Sequence, residues 1–247
     1  MRFNDPVFLE GGNHEAILLL HGITSGCAQM VPMAKALNDY GYSVHCVNVA
    51  GHGTYPQELL RTSFEDMIDK AEYDFEGLKK FYDKVYVGGL SLGGSLSLAL
   101  AARRSDIAGI IPCSAPIWML PGNFVTDSYP PEQVWFHRDM GGKVDLYRWY
   151  HIHYEEIAIR VFRELSNLME HLRTDGVLER ITCPALVIQA KNDAMADPRS
   201  CHYIMEHISS VKKRLYNPDE GEHNIVLTEG RHNAFREAGA FLSSLSQ

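Results

Sequence analysis

The run Gly88-Gly89-Leu90-Ser91-Leu92-Gly93-Gly94 constrains this chain more than any other stretch. It follows a short strand-like run, residues 84–87, and precedes residues 96–102, which are apolar nearly all round apart from Ser97. A helix of that composition belongs at the centre of a domain rather than half-exposed on its surface. Within the run, Gly89-Leu90-Ser91-Leu92-Gly93 is a G-x-S-x-G between strand and helix, the setting in which that pattern forms a nucleophile elbow. Sterics account for the glycines, because a turn this tight leaves no room for side chains two residues on either side of the serine. The serine itself is expected in a strained conformation that lifts its hydroxyl clear of the sheet. The helix that starts there turns unpaired N–H groups and its positive dipole end toward any charge developing on a bound carbonyl oxygen.

Around that run, β-like and helix-length segments alternate, the pattern of a mostly parallel sheet flanked by helices. Residues 16–20, 42–49, 84–87, 107–111, 185–188 and 214–216 read as strands. Met30, Met33, Ala34 and Leu37 follow helical spacing, with Gly41 where a C-cap belongs. Ser63 is a candidate N-cap for a helix whose apolar face runs from Phe64 to Leu78. A last helix aligns Phe235, Ala238, Leu242 and Leu245.

Residues 116–180 break the alternation. All three tryptophans lie there, with Pro130-Pro131, Gly141-Gly142 and one helical stripe from Tyr154 through Ile157, Ala158, Val161 and Phe162 to Leu172. The expected organisation is an α/β core of residues 1–115 and 181–247 carrying a helical cap inserted at 116–180. The stripe reads as a packing face, and more sharply as a lid over a pocket, with Trp118 and Phe162 as pocket residues. Its aromatics would form a slot for an aliphatic chain, a narrow pocket for an aryl acid, or the surface of a homodimer.

Composition removes whole classes. With 247 residues, 45% hydrophobic and 22% charged, the chain can bury a sizeable core and is not a disordered or disulfide-stapled polypeptide. A net charge of −8 and no run of Lys or Arg argue against nucleic acid as a partner. The longest aliphatic run, Ile17-Leu18-Leu19-Leu20, is far short of the roughly 18 residues an integral membrane segment needs. Cys27, Cys46, Cys113, Cys183 and Cys201 are scattered without C-x-x-C spacing and read as reduced thiols of a cytoplasmic protein. The opening Met1-Arg2-Phe3-Asn4-Asp5-Pro6 lacks the layout of a secretory signal.

A serine hydroxyl is a poor nucleophile until a base takes its proton, so a histidine must reach Ser91 and a carboxylate should orient that histidine. In this type of fold the order is Ser, acid, His, with acid and base in loops after later strands. Asp193 lies just past the strand at 185–188, and no carboxylate stands between the 107–111 strand and Asp127. Asp197, beside Pro198, reads instead as a cap of the following helix. Of the histidines beyond Asp193, His202 and His207 fall in a predicted helix, His232 opens the last one, and His223 lies in the loop after 214–216. The candidate triad is therefore Ser91, Asp193 and His223. Its oxyanion donors are the amide of Leu92 and that of Ile23, in the early loop Leu20-His21-Gly22-Ile23-Thr24. His21 precedes the acid in the chain and reads as a structural hydrogen-bonder at a strand end.

His21-Gly22-Ile23-Thr24, Gly51-His52-Gly53-Thr54, Gly89-Leu90-Ser91-Leu92-Gly93-Gly94, Cys183-Pro184-Ala185-Leu186-Val187-Ile188 and the loops of Asp193 and His223 together resemble one family. It is that of the small bacterial carboxylesterases and monoacylglycerol lipases of the α/β-hydrolase fold. The likeness runs from about residue 7 to the end and is weakest at 116–180. It implies the same triad, the same backbone donors and a cap at the insertion. Relatives often carry Phe at position 23 and Met or Leu at 92, which leaves the donors intact and reshapes the acyl pocket.

The expected activity is cleavage of short to medium acyl esters, monoacylglycerols among them, through an acyl-enzyme. The partner is then a small-molecule ester, and no metal or organic cofactor is required. A peptidase or acyltransferase using the same triad, and a ligand-binding module without catalysis, are the alternatives. His151-x-His153 with Glu155-Glu156 is not read as a metal site, since i and i+2 positions diverge on a helix and no further ligand is spaced sensibly. No Lys-Ser or Lys-Thr follows the glycines, so a phosphate loop is absent.

Overall fold

The computed structural model describes residues 5–123, 129–130, 132–137, 149–150 and 154–246. Among the described residues nine strands run in chain order: β1 (Val7–Leu9), β2 (Glu15–Leu20), β3 (Ser43–Val47), β4 (Lys84–Leu90), β5 (Ile110–Cys113), β6 (Trp135–His137), β7 (Glu156–Ala158), β8 (Ala185–Ile188) and β9 (Lys213–Tyr216). Seven of them form one sheet in the order β1-β3-β2-β4-β5-β8-β9, while β6 and β7 pair separately. Within the large sheet only β1 is antiparallel to its neighbour; every other pair is parallel.

All six residues of β2 are buried, the mark of a strand covered on both faces. Its side chains alternate between two apolar layers. Ala16, Leu18 and Leu20 join α2 (Phe64–Lys79), α3 (Leu92–Arg103), α4 (Arg160–Arg173) and α5 (Arg199–His207). Ile17 and Leu19 pack with α1 (Val31–Asn38) and α6 (Arg231–Ser243) on the opposite face. The α/β-hydrolase architecture is thus a central sheet between two helical layers. Helix α3 is buried along its length up to Ala102, which its apolar composition required. Ser63 caps α2 with a full capping box: its hydroxyl accepts the Asp66 amide, and the Asp66 carboxylate accepts the Ser63 amide at 2.8 Å.

Two expectations shift, and one strand was not expected. Strand β5 starts at Ile110 rather than 107, although Ala108 and Gly109 already bond along β4. The short edge strand β1 carried no readable alternation. The stripe from Tyr154 is not one helix: Glu156–Ala158 is extended and pairs with Trp135–His137, and α4 opens only at Arg160. Apolar spacing of 154, 157 and 158 fits either period, and the partner strand about 20 residues upstream decides it. His151, His153, Asp127, Pro131 and the Gly141-Gly142 pair lie outside the described residues.

Candidate active site

Because the strands are parallel, the loops leaving β2, β4, β8 and β9 emerge along one edge of the sheet, the edge where such folds bind ligands. Ser91 follows β4 directly with φ 55° and ψ −114°, a conformation costly for a residue with a side chain, and its amide is held by the Cys113 carbonyl at 2.8 Å. A Cβ on Gly93 would collide with the Leu20 carbonyl, so the helix can begin this close to β2 only with glycine there. A Cβ on Gly22 would sit 3.6 Å from that of Ser91, which shows how nearly the first loop touches the serine.

His223 Nε2 lies 2.9 Å from Ser91 Oγ. On the other side of the ring, Nδ1 lies 2.9 Å and 3.0 Å from the two carboxylate oxygens of Asp193. The Asp193 side chain is wholly buried and also accepts the amides of Met195 and Ala196 at 2.8 and 2.9 Å. A carboxylate pinned by two main-chain donors holds the imidazole with its proton on Nδ1 and its lone pair toward the serine. Asp197 is oriented elsewhere: it bonds the Arg199 guanidinium and the Arg199 amide at the start of α5, and that guanidinium holds its carboxyl below the usual range.

The Leu92 amide is at the first position of α3 and that of Ile23 lies in the loop after β2. Among the described residues, neither has a protein acceptor. Ile23 lines the cleft over Ser91, and Leu92 follows Ser91 directly; the cleft is a cavity of about 740 Å³ lined by Gly22, Ile23, Leu90, Ser91 and His223 together with Asn192 and Met195. Asp219, Glu220, Glu222 and Glu229 also line it, and of these Asp219 is paired with Lys191 at 2.8 Å. Trp118 and Phe162 are not among the residues lining this cleft. Trp118 packs edge-on to Tyr203 beneath the guanidinium of Arg199, and Phe162 is 2% exposed and packs against Phe136.

Some supporting residues had no assigned role in the sequence. Gln29 Oε1 accepts the Gly22 amide at 2.7 Å, and His52 Nε2 accepts that of Thr24 at 3.0 Å. The signal that could have found His52 is its place in the tight Gly51-His52-Gly53 turn, where a histidine becomes fully enclosed.

A family profile described as serine aminopeptidase, S33, matches residues 11–230. The chain is 31% identical over 211 residues to a thermostable monoacylglycerol lipase of Bacillus sp. (strain H-257), covering 85% of this chain and 83% of that one. It is 28% identical over 241 residues to a carboxylesterase of Bacillus subtilis (strain 168), covering 97% and 96% respectively. Among solved structures it is similar to a chain from work on LipS and LipT, two metagenome-derived lipolytic enzymes, with a TM-score of 0.86, 23% identity and 98% of each chain covered. An elbow serine in hydrogen-bond reach of an imidazole, on a sheet of this order and with these relatives, makes the chain a member of the serine aminopeptidase S33 family of α/β-hydrolases.

Proposed function

We propose that this protein is a serine carboxylic-ester hydrolase that cleaves short to medium acyl esters, monoacylglycerols among them, through an acyl-enzyme on Ser91. The observation that carries the reading is the unbroken chain Ser91 Oγ, His223, Asp193, with each contact at 2.9–3.0 Å. His223 takes the Ser91 proton as Oγ attacks the ester carbonyl, and Asp193 stabilises the imidazolium that forms. The tetrahedral oxyanion is held by the amides of Ile23 and Leu92, each worth on the order of 3 kcal/mol. The C–O bond to the alcohol breaks as His223 returns the proton to it. Water then attacks the acyl-enzyme by the same path and releases the acid.

Residues 116–180 act in this reading as a cap that helps define the acyl site. The relatives' activities and the carboxylates of Asp219, Glu220, Glu222 and Glu229 along the cleft, which disfavour an anionic substrate, support esters with neutral acyl chains. Five unpaired thiols support a reducing compartment such as the cytoplasm.

A fluorophosphonate probe should label Ser91 in the native protein and leave Ser91→Ala unlabelled. Nitrophenyl esters of graded acyl length and a monoacylglycerol should be hydrolysed. Faster cleavage of aminoacyl nitroanilides than of any ester would make the protein a peptidase. An unlabelled, inactive wild type would leave it a binding module.

A further inference from the structure

Two histidines outside the triad face each other across the loops that follow β2 and β3. His21 Nε2 accepts the Val49 amide at 3.1 Å, and His52 Nε2 accepts the Thr24 amide at 3.0 Å, so each ring reaches into the other's loop across 28 residues of chain. Each ring's Nδ1 meets a carbonyl of its own loop, Gly22 O at 2.8 Å and Ala50 O at 3.0 Å. An amide only donates and a carbonyl only accepts, so both rings are neutral with the proton on Nδ1. The rings meet edge to face with centroids 5.2 Å apart, and both are buried. Burial pushes the His52 pKa down to about 4, which keeps it an acceptor throughout the neutral range.

Between the two anchor points lies Ile23. Its amide belongs to the same planar trans peptide as the Gly22 carbonyl, so a proton donated by His21 to that carbonyl turns the Ile23 N–H the opposite way. The next peptide, Ile23–Thr24, is fixed through its own N–H by His52. Thr24 meanwhile sits at φ 58°, a conformation that must be held in place by its surroundings. The Gly22 amide is taken by Gln29. The Gly22 carbonyl also accepts the Ser25 amide at 3.2 Å, so the first peptide plane at Ile23 is held by His21 together with that turn and the second by His52, and the Ile23 N–H is the group left to face the cleft.

We propose that His21 and His52 form a reciprocal clasp that aims the Ile23 amide at the oxyanion, which makes both of them positioning residues. The inference rests on the ester-hydrolase reading of Ser91 and names the device that holds one of its two oxyanion donors in place. Such a donor acts on charge present in the transition state and not in the bound ester, so its misplacement lowers kcat and leaves KM nearly unchanged.

The test compares His52→Phe, which keeps a ring and removes the acceptor, with His52→Gln, whose side-chain oxygen can accept in place of Nε2. For a nitrophenyl ester, His52→Phe should lose about tenfold to a hundredfold in kcat, less than the about 100- to 1,000-fold cost of deleting a donor outright. KM should stay within about twofold. An alkylboronic acid, whose serine adduct carries the same tetrahedral anion, should weaken by the same factor as kcat, and His52→Gln should recover most of both. A folded His52→Phe with wild-type kcat, or equal losses in both variants, would overturn the clasp. Should His52→Phe fail to fold, nitrogen NMR of the wild type decides: the Nδ1–H tautomer of His52 at neutral pH supports the proposal, and an Nε2–H ring or an imidazolium sinks it. Wild-type labelling by the fluorophosphonate separates the two levels. No label and no ester cleavage fail the reading of Ser91, whereas a labelled, active wild type beside an unimpaired His52→Phe fails the clasp alone.

Discussion

At the scale of single residues, the site depends on which groups can only donate and which can only accept. Asp193 accepts from His223 and from two backbone amides, and nothing in that arrangement asks it to donate. In Asp193→Asn the amide oxygen can still serve Met195 and Ala196, so the loop should keep its shape. The NH₂ group would then meet Nδ1 and drive the imidazole proton to Nε2, where it points at Ser91 instead of leaving a lone pair. We expect kcat to fall about 10⁴-fold with an unchanged circular dichroism spectrum. A loss of less than about tenfold would mean that the carboxylate does not set the tautomer. Asp193 was readable because it stands just past a strand, but the two amides that hold it were not, since main-chain donors leave no trace in residue identity.

At the scale of elements, what was readable followed from where apolar residues run unbroken. Helix α3 declared itself by apolar residues on every side, and β2 by an unbroken aliphatic run, because both are enclosed by the rest of the chain. The stretch 116–180 was less readable for the converse reason. β7 is three residues long and owes its extended shape to β6, a partner that no local pattern announces. The same packing changes what truncation at Phe162 should do. Its ring lies in the apolar layer between α4 and β6 at 2% exposure, so Phe162→Ala should open a cavity and cost about 3–5 kcal/mol. In a chain of this size that is a fall in Tm of about 10 °C by thermal denaturation. A Tm within about 2 °C of wild type would show that the layer re-forms around the gap. Tyr154, just before β7, ties that segment to the loop of His52, since its hydroxyl accepts the Thr54 amide at 2.9 Å and donates to the Gly51 carbonyl at 3.2 Å.

At the scale of the whole molecule, imidazoles wholly or partly withdrawn from water make acid the direction of weakness. His45, His52 and His171 all have their pKa lowered, first of all by burial, and His52 is pushed to about 4 from 6.5. Between those two values the unfolded chain takes up a proton that the folded one refuses, so stability is full above pH 6.5 and drains away as pH falls toward 4. For His52 alone the loss amounts to about 3 kcal/mol. Asp66, Asp106 and Asp197 are lowered by their hydrogen bonds and add to the loss only below the ordinary carboxylate range. Tm should therefore drop between pH 7 and pH 4.5, and drop less in His52→Gln; a flat profile would contradict the burial of these rings. Charge acts on substrates in the same global way. With a net charge of −8 and four carboxylates along the cleft, an anionic ester should show a lower kcat/KM than its neutral isostere, by a margin that shrinks as salt is added.

The five thiols lend themselves to a different use. All are enclosed and unpaired, and burial raises the pKa of Cys27 to about 11 and of Cys113 and Cys183 to about 12. A thiol reacts as its anion and only where a reagent can reach it. Iodoacetamide should then bypass the folded molecule and modify it only as it opens, so the mass gained over hours would time that opening with no engineered label.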